Sequence, residues 1–238
     1  MNAGRRALLV VAAVALPPAL VLGLILLLVN PIVGIVVFVV VAVALAGWVW
    51  TGAQRRVLKA MGGRPADAKA DARALNLIEG LSFTAGLRQP PLLVVESDSL
   101  NVAVAGRDPA SAVIVATRGL LTQLSRIELE GILAAALVEI RNGELGPATV
   151  VASLPGLGRR LVSSASGRDA ATDLAAVNLT RFPPGLAAAL DKMDAKGTSV
   201  EGVRADQAHL WLADPLPPGA APAGRTSLRD RAAALHEL

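Results

Sequence analysis

The sequence predicts a mainly helical α+β protein that begins with a transmembrane helical hairpin. Two apolar runs, residues 7–29 and 32–50, are each close to the ~20 residues that a helix needs to cross a bilayer. Three short Val-rich runs follow, and such runs between turn residues are typical of a small sheet. An apolar helical pattern over residues 125–144 then predicts the helix on which this sheet packs.

Turn and charge signals around the two apolar runs predict the hairpin. Asn30-Pro31 separates the runs as a turn, and Trp48 and Trp50 lie where the second helix would reach the membrane interface. No charged residue occurs between Arg6 and Arg55, and arginines flank the hairpin on both sides. The positive-inside rule then places both the N-terminus and the following domain in the cytoplasm, as a multi-pass protein of the cytoplasmic membrane. A cleaved signal peptide is less favoured, because the first run is long and a second follows directly.

The composition excludes several classes of function. The chain has no cysteine, so it has neither a disulfide framework nor a thiolate nucleophile or metal ligand. Its net charge is +4, but aromatic residues make up only 3% and no basic-aromatic pattern occurs. We therefore expect the membrane, and not nucleic acid, as its partner.

Between the hairpin and the central helix, the pattern predicts a helix followed by strands. Residues 66–87 form an amphipathic helical pattern that Pro90-Pro91 ends. The predicted strands cover residues 92–96, 102–105 and 112–117, with a turn at residues 106–111 between the last two.

The central helix carries the clearest local signals. Ser125 and Glu128 form a capping box, and Asn142-Gly143 supplies a helix stop. Its apolar positions are Ile132, Leu133, Ala136, Leu137 and Ile140. The apolar stretch at residues 147–158 is too short to cross a bilayer, so it is either a core segment, which we favour, or an interfacial one.

The remaining segments complete the predicted domain plan. Residues 168–181 read as a helix, and Pro183-Pro184 opens another. The plan is therefore a transmembrane hairpin at 1–54, a main domain at 55–216, and a Pro/Ala/Gly linker with a short helix at 217–238.

The central helix resembles the active-site helix of the HtpX-like membrane zinc metalloproteases, which reads EL-x-x-VLAHE-x-x-H-x-x-N-x-D. The matching positions here are Glu128-Leu129, Ile132-Leu133-Ala134, Asn142 and Glu144. The family's first His, its general-base Glu and its second His are replaced by Ala135, Ala136 and Glu139.

Other segments extend the resemblance in the same order along the chain. They are NLIEGLSFTAGLRQPPLLVVESDSLNVAVAG, VIVATRGLL, RDAATDLAAVNLTR and HLWLADPL, followed by residues 227–235, which lack the His and Pro of the family's closing motif. The resemblance implies a metalloprotease-like domain whose small sheet packs on the former active-site helix. It also implies that Asp169 stands where the family has its third zinc ligand, and that Asp173, Asn142 and Glu144 are remnants of the groups around the metal. By the same resemblance, a polypeptide would bind by strand addition along the strand formed by Asn101, Val102, Ala103 and Val104.

Zinc hydrolysis needs three ligands, an open water position and a base. Ala135 has no lone pair and Ala136 cannot accept a proton, so Glu139 and Asp169 alone do not make a zinc site. We therefore expect no metal cofactor and no catalytic residues. The expected function is that of a membrane-anchored pseudoprotease that binds polypeptide segments or a partner, such as an active protease relative, at the cytoplasmic face. Two alternatives remain open at this point: an atypical zinc endopeptidase using Glu139 and Asp169, and a purely structural membrane protein.

Overall fold

The computed structural model describes residues 3–28, 30–143, 145–154, 168–217 and 225–238. Its helices are α1 (Ala3–Leu27), α2 (Pro31–Met61), α3 (Ala72–Ala85), α4 (Arg118–Gln123), α5 (Arg126–Arg141), α6 (Leu145–Ala152), α7 (Arg168–Thr180), α8 (Pro183–Lys196) and α9 (Leu228–His236), with a 3-10 helix at Ala205–Leu210. Its strands are β1 (Arg64–Pro65), β2 (Leu92–Val95), β3 (Val102–Ala105) and β4 (Val113–Thr117). The predicted mainly helical α+β class is confirmed.

The two N-terminal helices pack against each other across glycines. A Cβ atom on Gly34 would lie 2.6 Å from the backbone nitrogen of Leu27, and one on Gly23 would lie 2.7 Å from Cβ of Phe38. Only glycine permits this approach of the two backbones. The Asn30 side chain caps α2 by accepting hydrogen bonds from the first backbone amides, so the turn lies where it was predicted.

Helix α2 is longer than the apolar run that ends at Trp50, because it continues to Met61 and stops at the left-handed Gly62. Its last turns bury Ala53, Val57 and Met61, which recur every four residues; Val57 and Met61 pack on the sheet, and Ala53 packs with Val150 of α6. Within the described residues, α2 is the one helix long and apolar enough to cross a membrane by length and composition. The division at residue 54 therefore falls inside a continuous helix. Both this division and the multi-pass topology stay predictions.

In the described part of the chain, four strands form one sheet in the order β1-β2-β4-β3. Strand β4 is parallel to β2 and antiparallel to β3, with Val102 opposite Ala116. Alternate side chains leave opposite faces of a strand, so the sheet has two apolar faces. One face packs in the core with α3 and α5, and the other packs on the end of α2. The sequence missed β1, because a two-residue strand carries no periodic signal.

Helix α3 starts at Ala72, six residues later than predicted. Asp67 Oδ1 accepts hydrogen bonds from the amides of Lys69 and Ala70, which closes a local turn. The buried carboxylate of Asp71 is bound by Arg64 and by Arg118 at 2.6 Å. Because the Asp67 side chain accepts hydrogen bonds from backbone amides that a helix would otherwise have to satisfy, the chain does not become helical at residue 66. The predicted start of α3 was wrong for that reason.

Helix α5 is the centre of the domain. The capping box is confirmed: Ser125 N donates to Glu128 Oε2 at 2.7 Å, and Glu128 N donates to Ser125 Oγ. Burial raises the pKa of Glu128, but the hydrogen bonds from Lys192 and Ser125 outweigh it and hold that pKa below its ordinary value. A Cβ on Gly131 would lie 2.9 Å from Leu186, so α8 packs directly on this helix.

Helix α6 covers the first part of the stretch that was too short to cross a membrane. Six of its positions, among them Thr149 and Val150, are buried. Val150 packs against Val49 and Ala53 of α2, and Thr149 Oγ1 accepts a hydrogen bond from Gly106 N at 3.0 Å, at the end of β3. Helix α6 is therefore buried, as the favoured core assignment predicts, and whether it also touches the membrane stays open. Residues 155–158 lie outside the described residues.

Candidate functional site

The three positions at which this chain departs from the family's zinc motif, Ala135, Ala136 and Glu139, lie on helix α5. Ala135 and Ala136 are 0% and 2% exposed, and Glu139, one turn further, is half-buried. Ala135 and Ala136 belong to the main apolar cluster, together with Leu133 and Leu137. Methyl groups therefore occupy the two buried positions that the resemblance assigns to a metal ligand and a base.

A small cavity of about 40 Å³ lies beside Ala136 and Glu139. Its other walls come from β3, α7, the 3-10 helix and the residues around α9. They include Val102, Val104, Thr172, His209, Trp211, Leu212, Arg225 and Arg231. This volume is large enough to hold ordered water. His209 Nε2 lies 2.9 Å from the carbonyl oxygen of Ala148.

A buried ion pair joins α7 to α9 at this cavity. Arg231 Nε donates to Asp173 Oδ2 at 2.8 Å, and Arg231 Nη2 donates to Asp173 Oδ1 at 2.7 Å. The two side chains are 2% and 4% exposed. A bidentate guanidinium–carboxylate pair of this kind is rigid in both distance and orientation. The third Arg231 nitrogen donates to the carbonyl oxygen of Leu212.

A second guanidinium holds the chain just after the 3-10 helix. Arg225 donates to the carbonyl oxygens of Ala208 at 3.2 Å, Trp211 at 2.7 Å and Leu212 at 2.9 Å. Together with Arg231, it fixes residues 211–213, which we call the closing segment.

The closing segment lies along the outer edge of β3. Ala103 pairs with Trp211 in an antiparallel bridge, and Leu212 N donates to the carbonyl oxygen of Val102 at 2.8 Å. The Asn101 side chain completes the contact: its Oδ1 accepts from Ala213 N at 3.2 Å, and its Nδ2 donates to Ala213 O at 3.1 Å. The edge predicted to receive a polypeptide is therefore paired with the chain's own segment.

The other predicted site residues have more local environments. Asp173 is the partner of Arg231, as above. Asn142 is exposed, and its backbone amide donates to Val138 O at the end of α5. Asp169 lies in α7, with its side chain outside the described part, and Glu144 also lies outside the described residues. The structure thus brings together Ala136, Glu139 and the start of β3 at one cavity. Whether these residues form a binding site stays a prediction.

The sequence reasoning missed Arg225 and Arg231. A single signal was available for Arg231, which stands on the apolar face of α9, next to Ala232 and one turn before Leu235, both of which are buried. A charged residue on such a face needs a buried partner. Nothing local pointed to Arg225, because its three acceptors belong to a segment with no periodic pattern.

The described side chains at this cavity give zinc few donor atoms, since Glu139 and His209 line it without a third His, Cys, Asp or Glu. Ala135 and Ala136 supply no donor atom, and both oxygens of Asp173 already accept from Arg231. Two guanidinium groups, which stay charged, line the same cavity and would repel a divalent cation. Within the described residues, no three His, Cys, Asp or Glu side chains lie close enough to hold a metal.

Several curated proteins that match this chain carry the same family name. No protein-family model and no solved structure matches the chain. Curated relatives do match, each named "Protease HtpX homolog". The chain is 30% identical to that of Dictyoglomus thermophilum over 204 residues, which cover 68% of this chain and 67% of the relative. It is 29% identical to that of Dictyoglomus turgidum over 60% of both chains, and 28% identical to that of Tropheryma whipplei over 66% of this chain and 68% of the relative. The matches thus span between three fifths and about two thirds of the relatives' length. On this similarity, which agrees with the order of motifs along the sequence, the chain belongs to the HtpX-like protease family.

Proposed function

We propose that this chain is a non-catalytic member of the family, a membrane-anchored protein that binds extended polypeptide. The observation that carries the proposal is the burial of two methyl side chains, Ala135 and Ala136, at the positions that the resemblance assigns to a metal ligand and a base. The guanidinium of Arg231, a permanent cation bound to Asp173, lines the same cavity as Ala136 and disfavours a divalent cation there.

Zinc-dependent hydrolysis needs a metal-bound water and a base, and the described side chains at this cavity supply neither a complete ligand set nor a carboxylate at residue 136. A metal would have to generate the nucleophile by lowering the pKa of a bound water, and a nearby carboxylate would have to accept its proton. Ala136 cannot accept a proton, and the Asp173 carboxylate is neutralised by Arg231. We propose that the chain uses no metal cofactor.

The proposed binding site is the outer edge of β3. An incoming strand would replace the closing segment and take over its hydrogen bond to Val102 O and its pairing with Ala103. The exchange conserves backbone hydrogen bonds, so its net free energy is small, and affinity depends on how easily the closing segment leaves. A polypeptide segment of a client, or of an active relative, has the chemistry required.

A disulfide across the closing segment should abolish polypeptide binding. Val102 and Leu212 are opposite each other in the register set by the Ala103–Trp211 bridge. Opposed antiparallel residues have Cα atoms about 4.5–5.5 Å apart, within the range of about 4.4–6.8 Å for disulfides. We expect oxidised Val102→Cys/Leu212→Cys protein to lose binding of a permanently unfolded carboxymethylated polypeptide, as measured by fluorescence anisotropy. Reduction should restore it.

The natural chain contains no cysteine, so the redox treatment acts on the new bond alone. The single variant Leu212→Cys, which leaves β3 unchanged, is the matched control and should bind under both conditions. Equal binding by the oxidised double variant would place the polypeptide site elsewhere. Cleavage of the polypeptide by the parent protein in the presence of Zn²⁺ would contradict the non-catalytic assignment.

The proposed orientation puts the N-terminus and the main domain in the cytoplasm, with both α1 and α2 crossing the membrane. Arg55, Arg56 and Lys59 follow the apolar part of α2, and such clusters remain on the cytoplasmic side. A reporter fused after Leu238 should be active if it works in the cytoplasm and inactive if it works only outside. The opposite pattern would reverse the topology.

A further inference from the structure

A second cavity, of about 250 Å³, lies where α2 leaves its apolar stretch. It is formed by Trp48 and Arg56 of α2, the end of α6 and, from the region of the 3-10 helix, Arg204 and Gln207. It shares no lining residue with the cavity beside Ala136.

The level of this cavity relative to the membrane follows from the length of the apolar part of α2. At 1.5 Å per residue, the apolar stretch from Pro31 to Trp50 spans about 30 Å, the thickness of the hydrocarbon core. Trp48, which is 62% exposed, then lies at the level of the lipid head groups, where Trp is enriched. This step rests on the proposed crossing of the membrane by α2.

The guanidinium of Arg56 is turned back to the same level. Its Cζ lies 4.4 Å from the centroid of the Trp48 ring, and its Nη2 donates to Val49 O at 3.0 Å. An Arg at a helix end usually extends its head group away from the apolar region into water. Here the head group is held over the aromatic ring, and both residues line the cavity.

The opposite wall supplies another cation and an unused donor. Arg204 donates weakly to Ala152 O at 3.4 Å and lies 3.7 Å from the Asp206 carboxylate, a loose ion pair. Gln207 is 1% exposed, and its Nε2 has no hydrogen-bond partner within the described residues. A buried amide donor without an acceptor is costly, and a ligand oxygen would satisfy it.

We infer that this cavity binds the phosphate of an anionic lipid head group. Two guanidiniums and an amide donor suit phosphate oxygens, and the Trp48 ring suits the glycerol and upper acyl region. Basic pockets at this depth are a recognised mode of lipid head-group recognition. Free phosphate has the same oxygen chemistry, but it has no contact with the exposed ring of Trp48.

The test uses the full chain in lipid nanodiscs. Protein in phosphatidylcholine containing some phosphatidylglycerol is delipidated in steps, and the retained lipid is identified by native mass spectrometry. We expect selective retention of phosphatidylglycerol. Arg204→Gln and Arg56→Gln should each lower retention about tenfold, since each removes a charge-assisted hydrogen bond.

Arg55→Gln is the matched control, because Arg55 has the same charge and depth on α2 but is exposed and does not line the cavity. It should retain the lipid. If Arg55→Gln loses as much phosphatidylglycerol as the other variants, general surface charge and not this cavity retains the lipid, and the inference is wrong. The inference is also wrong if the protein retains phosphatidylglycerol no better than phosphatidylcholine. If inorganic phosphate displaces phosphatidylglycerol completely at similar concentration, the site is one for free phosphate and the lipid assignment fails.

Gln207→Met separates binding from folding. This substitution removes the unpartnered amide, so the melting temperature should stay the same or rise while phosphatidylglycerol retention falls. Unchanged retention in a folded Gln207→Met protein would contradict the inference, even if the arginine variants prove unstable. The polypeptide-binding assay on the disulfide-closed protein is independent of this result, so either proposal can fail alone.

Discussion

Arg231→Ala is expected to lower the free energy of unfolding by about 3–5 kcal/mol, the cost of breaking a buried ion pair by removing one partner. The substitution leaves the carboxylate of Asp173 buried without its two donors and removes one donor from Leu212 O. For a chain of this size the loss corresponds to a fall in melting temperature of about 6–20 °C. Circular dichroism of the full chain in detergent measures it.

Two further variants distinguish the contribution of the Arg231–Asp173 ion pair to stability from that of helix α9 as a whole. Arg229→Ala removes an exposed charge from the same helix and should change stability by less than about 0.5 kcal/mol. Asp173→Leu/Arg231→Met replaces both charges by apolar groups and should recover most of the loss, because no buried charge remains unpaired. A double variant as unstable as Arg231→Ala would show that the packing around α9, and not the ion pair, carries the stability.

The variant Ala135→His/Ala136→Glu/Glu139→His/Asp169→Glu is expected to bind zinc, which the parent should not. The first and third substitutions set two imidazoles at positions i and i+4 of α5, with the base between them. At a free zinc concentration of about 100 times the dissociation constant, binding should stabilise the variant by about 2.7 kcal/mol. A chelator should therefore lower its melting temperature and leave that of the parent unchanged.

Arg225→Gln added to this variant should tighten zinc binding, since it removes a cation from the cavity wall. Metal content is measured on protein purified without a histidine tag. The variant that retains Glu139 lacks one imidazole and should bind more weakly. A folded fourfold variant without zinc would mean that residues 135 and 169 do not face one another. Recovered proteolysis is not expected, since a ligand misplaced by about 1 Å costs about a hundredfold in rate.

The sequence alone predicted the elements whose signals are local. The capping box of α5, the strand at Val102–Ala105 and the turn at Asn30-Pro31 each depend on residues a few positions apart. The lack of a metal-binding or basic atom in the side chains of Ala135 and Ala136 likewise follows from side-chain chemistry and needs no coordinates. The family follows from the order of such segments along the chain.

The tertiary structure decided what occupies the site. Arg231 and Asp173 are 58 residues apart, and Asn101 reaches Ala213 across 112. Neither contact belongs to a helical or strand period, so no pattern along the chain reports it. The extension of α2 past Trp50 was hidden for a related reason. Polar residues after Trp50 end the apolar run, whereas burial of Val57 and Met61 against the sheet, and of Ala53 against Val150, stabilises further helical turns. Local signals determine where elements form, but packing and buried charge pairing depend on which distant segments fold onto one another.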